Sequence, residues 1–183
     1  MAIPNLIVGP RRCVSMIVAM AALNVGATLT SLTVAAQEPE TSAKLVKIVQ
    51  EATRQYADVN VAVAAGYGAF LGCVSGPDHG AMGIHYVNGN LFGKLDPEQP
   101  QALIYEPTNG KLRLVGVEFI VDKATWDKSN AMPPILEGQS FQFVGSPNRY
   151  NIPAFYELHV WAWRENPLGA FVDWNTRVSC AGQ

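Results

Sequence analysis

The hydrophobic pattern of the chain changes at Gly66, and this change most limits the folds open to it. Before Gly66, apolar residues recur every three or four positions, which is the period of a helix packed through one face. After it, short apolar stretches are separated by Gly, Pro and Asn-Gly, as expected for strands and turns. Helices followed by strands predict an α+β fold, in which one curved antiparallel sheet packs on the N-terminal helices or half-closes into a barrel.

Two helices are predicted ahead of the sheet. Residues 42–56 place apolar side chains on one helical face, and Thr41 or Ser42 can cap this helix. A second, shorter helix is predicted at 59–65, because Asp58 can cap its start and a glycine follows its end.

The strands are predicted from alternation and from the turn residues between them. Asn109-Gly110 is the strongest short-range hairpin signal, so the stretches on either side of it should pair antiparallel. The predicted strands are residues 81–87, 102–106, 111–121, 141–144 and 156–164.

The first 36 residues have the pattern of a secretory signal peptide. Arg11 and Arg12 precede an apolar run at 14–23, and Val34 and Ala36 supply the small residues that cleavage requires. A membrane anchor is the alternative, but polar residues after the run leave too few apolar positions for a span of about 20. The arginine pair also permits export by the twin-arginine route.

Cleavage after Ala36 would leave 147 of the 183 residues, as a single exported domain at 37–183, periplasmic or secreted. Cys13 would leave with the signal peptide, and Cys73 and Cys180 would remain as a pair. A disulfide between them is expected in an oxidising compartment. Two free thiols or two soft metal ligands are the alternatives, which the lack of a CxxC spacing disfavours.

Composition excludes several classes of function. The formal net charge is −2 and the basic residues are scattered, so no patch for nucleic acid or for an acidic membrane surface is present. A hydrophobic content of 49% excludes a disordered chain. The sequence also lacks the GxSxG, P-loop, HExxH, EF-hand and dinucleotide-binding motifs.

Three ionisable residues fall in the middle of three different predicted strands: His85, Glu118 and His159. Strand alternation places Glu118 on one face with Leu112, Leu114, Gly116 and Ile120. A carboxylate among apolar neighbours needs a compensating partner.

Two histidines and one carboxylate form the ligand set of many zinc and non-haem iron(II) sites, which leave a position open for water or a small-molecule ligand. We therefore predict a divalent transition metal, zinc or iron, at His85, Glu118 and His159, with His79 as a fourth ligand. If the site is catalytic, Glu118 is the expected general base and the histidines are the ligands. The alternative is a non-enzymatic envelope protein in which the three residues form a hydrogen-bonded core network.

The last predicted strand carries further polar and aromatic residues. Its alternation puts Glu157, His159, Trp161 and Trp163 on one face, and Glu157 is interpreted as a solvated rim charge or a cross-strand partner. Asp173 is expected to bond the turn at Asn175. The aromatic residues of the C-terminal third either fill the core or line an apolar ligand pocket: Phe155, Tyr156, Trp161, Trp163, Phe171 and Trp174.

Several stretches of the sequence resemble a family of uncharacterised exported bacterial proteins. They include Gly-Ala-Met-Gly-Ile-His-Tyr-Val-Asn at 80–88, Leu-Val-Gly-Val-Glu at 114–118 and His-Val-Trp-Ala-Trp at 159–163, with further matches at 95–97, 103–107, 166–169 and 173–180. The resemblance spans nearly the whole of 37–183. It implies a single exported domain and supports His85, Glu118 and His159 as a set, but it implies no reaction.

Overall fold

A helix precedes the sheet in the part of the chain that the structure describes. The computed structural model describes residues 38–183, with side chains from Ser42 onward, so the predicted signal peptide and Cys13 lie outside the described residues. Helix α1 spans Glu38–Thr53 and continues as a 3-10 turn, Arg54–Ala57. It begins earlier in the chain than the predicted start at Thr41 or Ser42.

Helix α2 spans Val59–Ala64 and is capped as predicted. The side chain of Asp58 accepts a hydrogen bond from the backbone N–H of Asn60, at 2.9 Å. This bond satisfies one of the free N–H groups at the start of the helix.

The strands are β1 Gly68–Gly76, β2 Gly80–Val87, β3 Ala102–Thr108, β4 Lys111–Asp122, β5 Ile135–Leu136, β6 Gln139–Ser140, β7 Gln142–Val144 and β8 Phe155–Val160. Six of them form one antiparallel sheet that curls into a half-barrel, in the order β1-β2-β3-β4-β8-β7. The other two, β5 and β6, pair as a small separate hairpin. A 3-10 turn at Gly89–Leu91 and helix α3 at Lys123–Trp126 lie in the connections. The predicted α+β class is confirmed.

The turn between β3 and β4 confirms the predicted hairpin. Asn109 and Gly110 have φ angles of 51° and 73°, the positive values that a two-residue type I′ turn requires. Thr108 pairs with Lys111 on either side of it. The sequence pattern did not predict β1, and it placed the end of β8 four residues too late.

The sheet has two differently packed faces. On one face, Leu45 and Val49 of α1 pack in a core that includes Tyr105, Phe119 and Leu158 of the sheet. On the other face, a smaller core contains Ile104 and Trp161 together with residues of the C-terminal segment. We call these the helix face and the open face.

A bulge in β4 corrects the predicted facing of its residues. Ile104 pairs with Gly116 but Tyr105 pairs with Leu114, so Val115 is the extra residue. Leu114 therefore packs in the helix-face core, and it does not share a face with Glu118 as simple alternation predicted.

Trp163 is also corrected, because β8 ends at Val160 and the chain then turns. The Trp163 ring packs against the helix-face core, and its indole N–H donates to Thr53 Oγ1 of α1 at 3.1 Å. It does not share a face with His159.

A disulfide joins Cys73 of β1 to Cys180 near the C-terminus, as predicted, with the Cα atoms 5.6 Å apart. Ala81 and Asn175 exchange backbone hydrogen bonds of 3.2 and 3.1 Å, which hold the C-terminal segment against β2. Within residues 38–183, no helix is both long and apolar enough to cross a membrane.

Candidate metal centre

Strand register brings the three predicted residues to the open face of the sheet. Glu118 of β4 pairs with His159 of β8, and paired residues of an antiparallel ladder point to the same side. His85 of β2 pairs with Ile104, which pairs in turn with Gly116, two positions before Glu118. Alternation from Gly116 then places His85 on the same face as Glu118.

These three side chains converge. His85 Nε2 lies 3.3 Å from Glu118 Oε2. The ring centroids of His85 and His159 are 5.8 Å apart, and the two rings are nearly perpendicular. One ligand atom from each of His85, Glu118 and His159 lies within 4.8 Å of the other two. All three residues are buried, and His159 has no exposed surface. They could hold a metal ion.

Two further carboxyl groups adjoin His159. Glu157, His159 and Asp173 form a second group whose ligand atoms lie within 4.8 Å of one another. His159 Nδ1 is 3.6 Å from Asp173 Oδ1. His159 therefore belongs to both groups, and the cluster consists of five residues: His85, Glu118, Glu157, His159 and Asp173. We call it the His159 cluster.

Sequence reasoning missed the roles of Glu157 and Asp173. Glu157 is only 3% exposed, so its interpretation as a solvated rim charge is wrong. Its position two residues before His159 on one strand was the available signal, because strand alternation puts both on one face.

Asp173 lies in a loop, where no periodicity predicts the direction of its side chain. Its Oδ1 accepts from Gln142 Nε2 at 2.9 Å, rather than bonding the turn at Asn175.

Four buried side-chain atoms of the described residues lack a hydrogen-bond partner, and all four belong to this cluster: His85 Nε2, Glu157 Oε2, His159 Nδ1 and His159 Nε2. Buried polar atoms are nearly always paired, because leaving one unpaired costs about 1–3 kcal/mol. Their concentration in one place coincides with the residues that could hold a metal ion.

Burial keeps both imidazoles neutral. It lowers the pKa of His85 to about 4, although a hydrogen bond with the backbone of Gly83 opposes this effect. Burial also lowers the pKa of His159 well below its usual value, and the neighbouring His85 lowers it further. A neutral imidazole has a free nitrogen lone pair, which is the form that binds metals.

Burial shifts the pKa of the carboxyl groups in the opposite direction, upward. Burial raises the pKa of Glu118 well above its usual value, and the neighbouring carboxyl group of Glu157 raises it further, first through charge repulsion and then through hydrogen bonding. The pKa of Glu157 rises to about 7, mainly through burial. Burial also raises the pKa of Asp173. Within residues 38–183, no Lys or Arg nitrogen lies within 4 Å of any of these three carboxylates.

His79 is placed elsewhere. It lies in the turn between β1 and β2, is exposed to solvent, and has its ring 6.4 Å from that of Trp174. It belongs to neither ligand group. The structure therefore does not bring the predicted fourth ligand to His85, Glu118 and His159.

A cavity of about 300 Å³ opens beside His85 and Glu118. Its walls are mainly apolar and come from the sheet, from the connection between β2 and β3 and from the loop before β8: Phe70, Val87, Phe92, Ile120, Tyr150, Ile152, Pro153 and Phe155. Of the aromatic residues considered from the sequence for such a pocket, only Phe155 lines it. Trp161 is instead buried in the open-face core.

The chain matches no protein-family model, no curated protein and no solved structure.

Proposed function

We propose that this protein binds a divalent transition metal through His85, Glu118 and His159. The observation that carries the proposal is the position of the unpartnered buried imidazole nitrogens beside a buried carboxyl group. A metal ion would accept the nitrogen lone pairs and would compensate the carboxylate charge. Neither effect is supplied by the described neighbours of these atoms.

The separation of the His85 and Glu118 ligand atoms fits a tetrahedral ion. Bonds of about 2.1 Å at tetrahedral angles separate adjacent ligand atoms by about 3.4 Å. His85 Nε2 and Glu118 Oε2 are 3.3 Å apart. Two imidazoles and one carboxylate suit zinc or iron(II), and three protein ligands leave a position open for water or substrate.

The open position would face the apolar cavity, because His85 and Glu118 line its wall. A volume of about 300 Å³ lies at the lower end of the range of small-molecule pockets, so a small molecule with an apolar body fits. If the site is catalytic, Glu118 can be a ligand or a general base, and its hydrogen-bonded neighbour Glu157 can take the other role.

We also propose that the protein is exported. The disulfide between Cys73 and Cys180 supports this location, since such bonds persist in oxidising compartments. The signal-peptide pattern of the first 36 residues supports it independently.

A hydrogen-bonded core network is the competing function for the same residues. The pair formed by Glu118 and Glu157 is consistent with it. His159 argues against it, because neither of its buried ring nitrogens has a hydrogen-bond partner among the described residues.

Metal analysis of the exported, purified protein tests the proposal. The protein is dialysed against zinc, or anaerobically against iron(II), then freed of excess metal and analysed by plasma mass spectrometry. We expect tightly bound metal in the unaltered protein, its loss in His85→Ala and its retention in His79→Ala. His79→Ala is the matched control because it removes an exposed imidazole outside the cluster. Absence of bound metal from the folded, unaltered protein would refute the metal site and favour the core network.

A further inference from the structure

We propose that the His159 cluster holds two divalent ions, bridged by the imidazole of His159. This inference rests on the proposed function, which supplies the first ion at His85, Glu118 and His159. The second ion would be bound by Glu157, Asp173 and the other nitrogen of His159. The ligand class is again a divalent transition metal, because the second set also combines imidazole with carboxylates.

The orientation of the His159 ring supports the bridge. Nδ1 lies 3.6 Å from Asp173 Oδ1, close to the separation of about 3.4 Å expected for two ligands of one tetrahedral ion. The other nitrogen, Nε2, is on the opposite edge of the ring and is left for the ion at His85 and Glu118. The bridge assigns Nδ1 to the second ion and Nε2 to the first, and in both groups the ligand atoms lie within 4.8 Å of one another.

The unpartnered atoms are distributed over both groups. His85 and Glu157 each contribute one of these atoms and belong to different ligand groups, whereas His159, which contributes two, belongs to both groups. A single ion at the first group would leave Glu157 Oε2 and His159 Nδ1 buried without partners. Two ions would satisfy all four atoms.

Charge balance also favours two ions. The cluster contains three carboxyl groups and, within residues 38–183, no Lys or Arg side chain forms an ion pair with any of them. Two divalent cations carry four positive charges. Three carboxylates and one imidazolate carry four negative charges once metal binding has released their protons. The assembled site would therefore be neutral, which a buried position favours.

Asp173 has an alternative role that the test must separate. A carboxylate beside the second nitrogen of a metal-bound histidine often fixes the ring orientation without binding a metal. In that case the protein binds one ion, and Asp173 affects only its affinity.

Metal stoichiometry distinguishes these roles. The folded protein is titrated with zinc, and bound metal is counted in the unaltered chain, in Asp173→Asn and in Glu98→Gln. Glu98→Gln is the control because it removes an exposed carboxylate outside the cluster. We expect two ions per chain in the unaltered protein and in the control, and one in Asp173→Asn. Asp173 lies in a partly exposed loop, so we expect this variant to fold, which circular dichroism checks. Glu157→Ala provides a second variant of the same group.

Copper(II) tests the bridge itself. Two copper(II) ions joined by an imidazolate couple magnetically, so the integrated electron paramagnetic resonance signal should fall as the second equivalent binds. In Asp173→Asn the signal of one uncoupled ion should remain. Two results would overturn the bridge while leaving the first site intact. One is a single zinc ion per chain in both the unaltered protein and Asp173→Asn. The other is a copper signal in the unaltered protein that integrates to two uncoupled ions. Absence of any bound metal would instead refute the proposed function as well.

Discussion

His159 lies directly opposite Glu118 where β4 pairs with β8, and neither ring nitrogen of His159 has a hydrogen-bond partner among the described residues. Facing residues of an antiparallel ladder have their Cβ atoms about 4.5–5.5 Å apart, so the backbone itself fixes this pair. Strand β2 then adds His85, and β8 itself adds Glu157, two residues before His159. A rigid sheet is a suitable support for a metal site, because ligand positions on strands are held more precisely than positions on loops.

Replacing Glu118 tests the first ligand group. We expect Glu118→Gln to weaken zinc binding by more than the roughly 10–100-fold that is typical when a group orienting a ligand is lost, since here a ligand itself is lost. Competition with a chromophoric chelator measures the affinity. Glu51→Gln, which alters an exposed helical carboxylate, should bind zinc like the unaltered protein. Equal zinc affinity in Glu118→Gln would exclude Glu118 as a ligand.

The pKa of Glu157 predicts a pH-dependent stability in the metal-free protein. Burial raises this pKa from its usual value of 4.5 to about 7 in the folded state. The folded protein then binds the proton more tightly than the unfolded chain. Its stabilising contribution is complete below pH 4.5 and is lost as the pH rises through 7.

Glu157→Gln keeps the shape of the side chain but cannot ionise, so it removes the buried charge that weakens the folded state above pH 7. In the presence of a chelator, we expect the variant to unfold at higher urea concentration than the unaltered protein above pH 7. The gain should be on the order of 2 kcal/mol, and it should shrink as the pH falls toward 4.5. The two histidines and Asp173 titrate in both proteins, whereas the pKa of Glu118 falls in the variant because the repulsion by Glu157 is lost, so the difference reports Glu118 and Glu157 as a pair. A difference that does not change with pH would contradict the assignment.

The disulfide predicts a large stability effect. Cys73 and Cys180 are 107 residues apart, and closing a loop of that length lowers the entropy of the unfolded chain by the equivalent of about 4 kcal/mol. We expect the double variant Cys73→Ser/Cys180→Ser to lose about this amount in urea unfolding. A reductant should destabilise the unaltered protein and leave the double variant unchanged. Equal stability of the two oxidised proteins would contradict the prediction.

We predict that replacing Gly80 with a residue that carries a Cβ disturbs the packing of the C-terminal segment. It has a φ of +78°, and a Cβ at this position would overlap the backbone carbonyl of Asn175. We expect Gly80→Ala to lower the free energy of unfolding by about 3 kcal/mol, through positive-φ strain and steric overlap together. Gly93 has a similar φ of +82° with nothing within 4 Å of its Cβ position.

Gly93→Ala is therefore the matched control, and it should show only the backbone strain of about 1–2 kcal/mol. Urea denaturation of both variants measures the difference. If the two alanine variants lost the same stability, the close approach of Asn175 to Gly80 would have no energetic consequence.

The sequence by itself determined the elements whose causes are local. The Asn109-Gly110 turn needs positive φ at two adjacent positions, and Asp58 caps α2 through an adjacent N–H, so short-range chemistry predicted both. The disulfide followed from an even number of cysteines in the expected mature chain. The strand pattern also placed His85, Glu118 and His159 on three different strands.

Only the tertiary structure decided how these elements combine. The bulge at Val115 reversed the facing of Leu114, because one extra residue changes every alternation that precedes it along the strand. Glu157 was wrongly predicted to be solvated because the pattern of a single strand does not show that β7 pairs with the other edge of β8. Asp173 reaches His159 from a loop, and His79 is carried to an exposed turn. The partners of a buried charge depend on residues far apart in the chain, so they become visible only after the sheet has assembled.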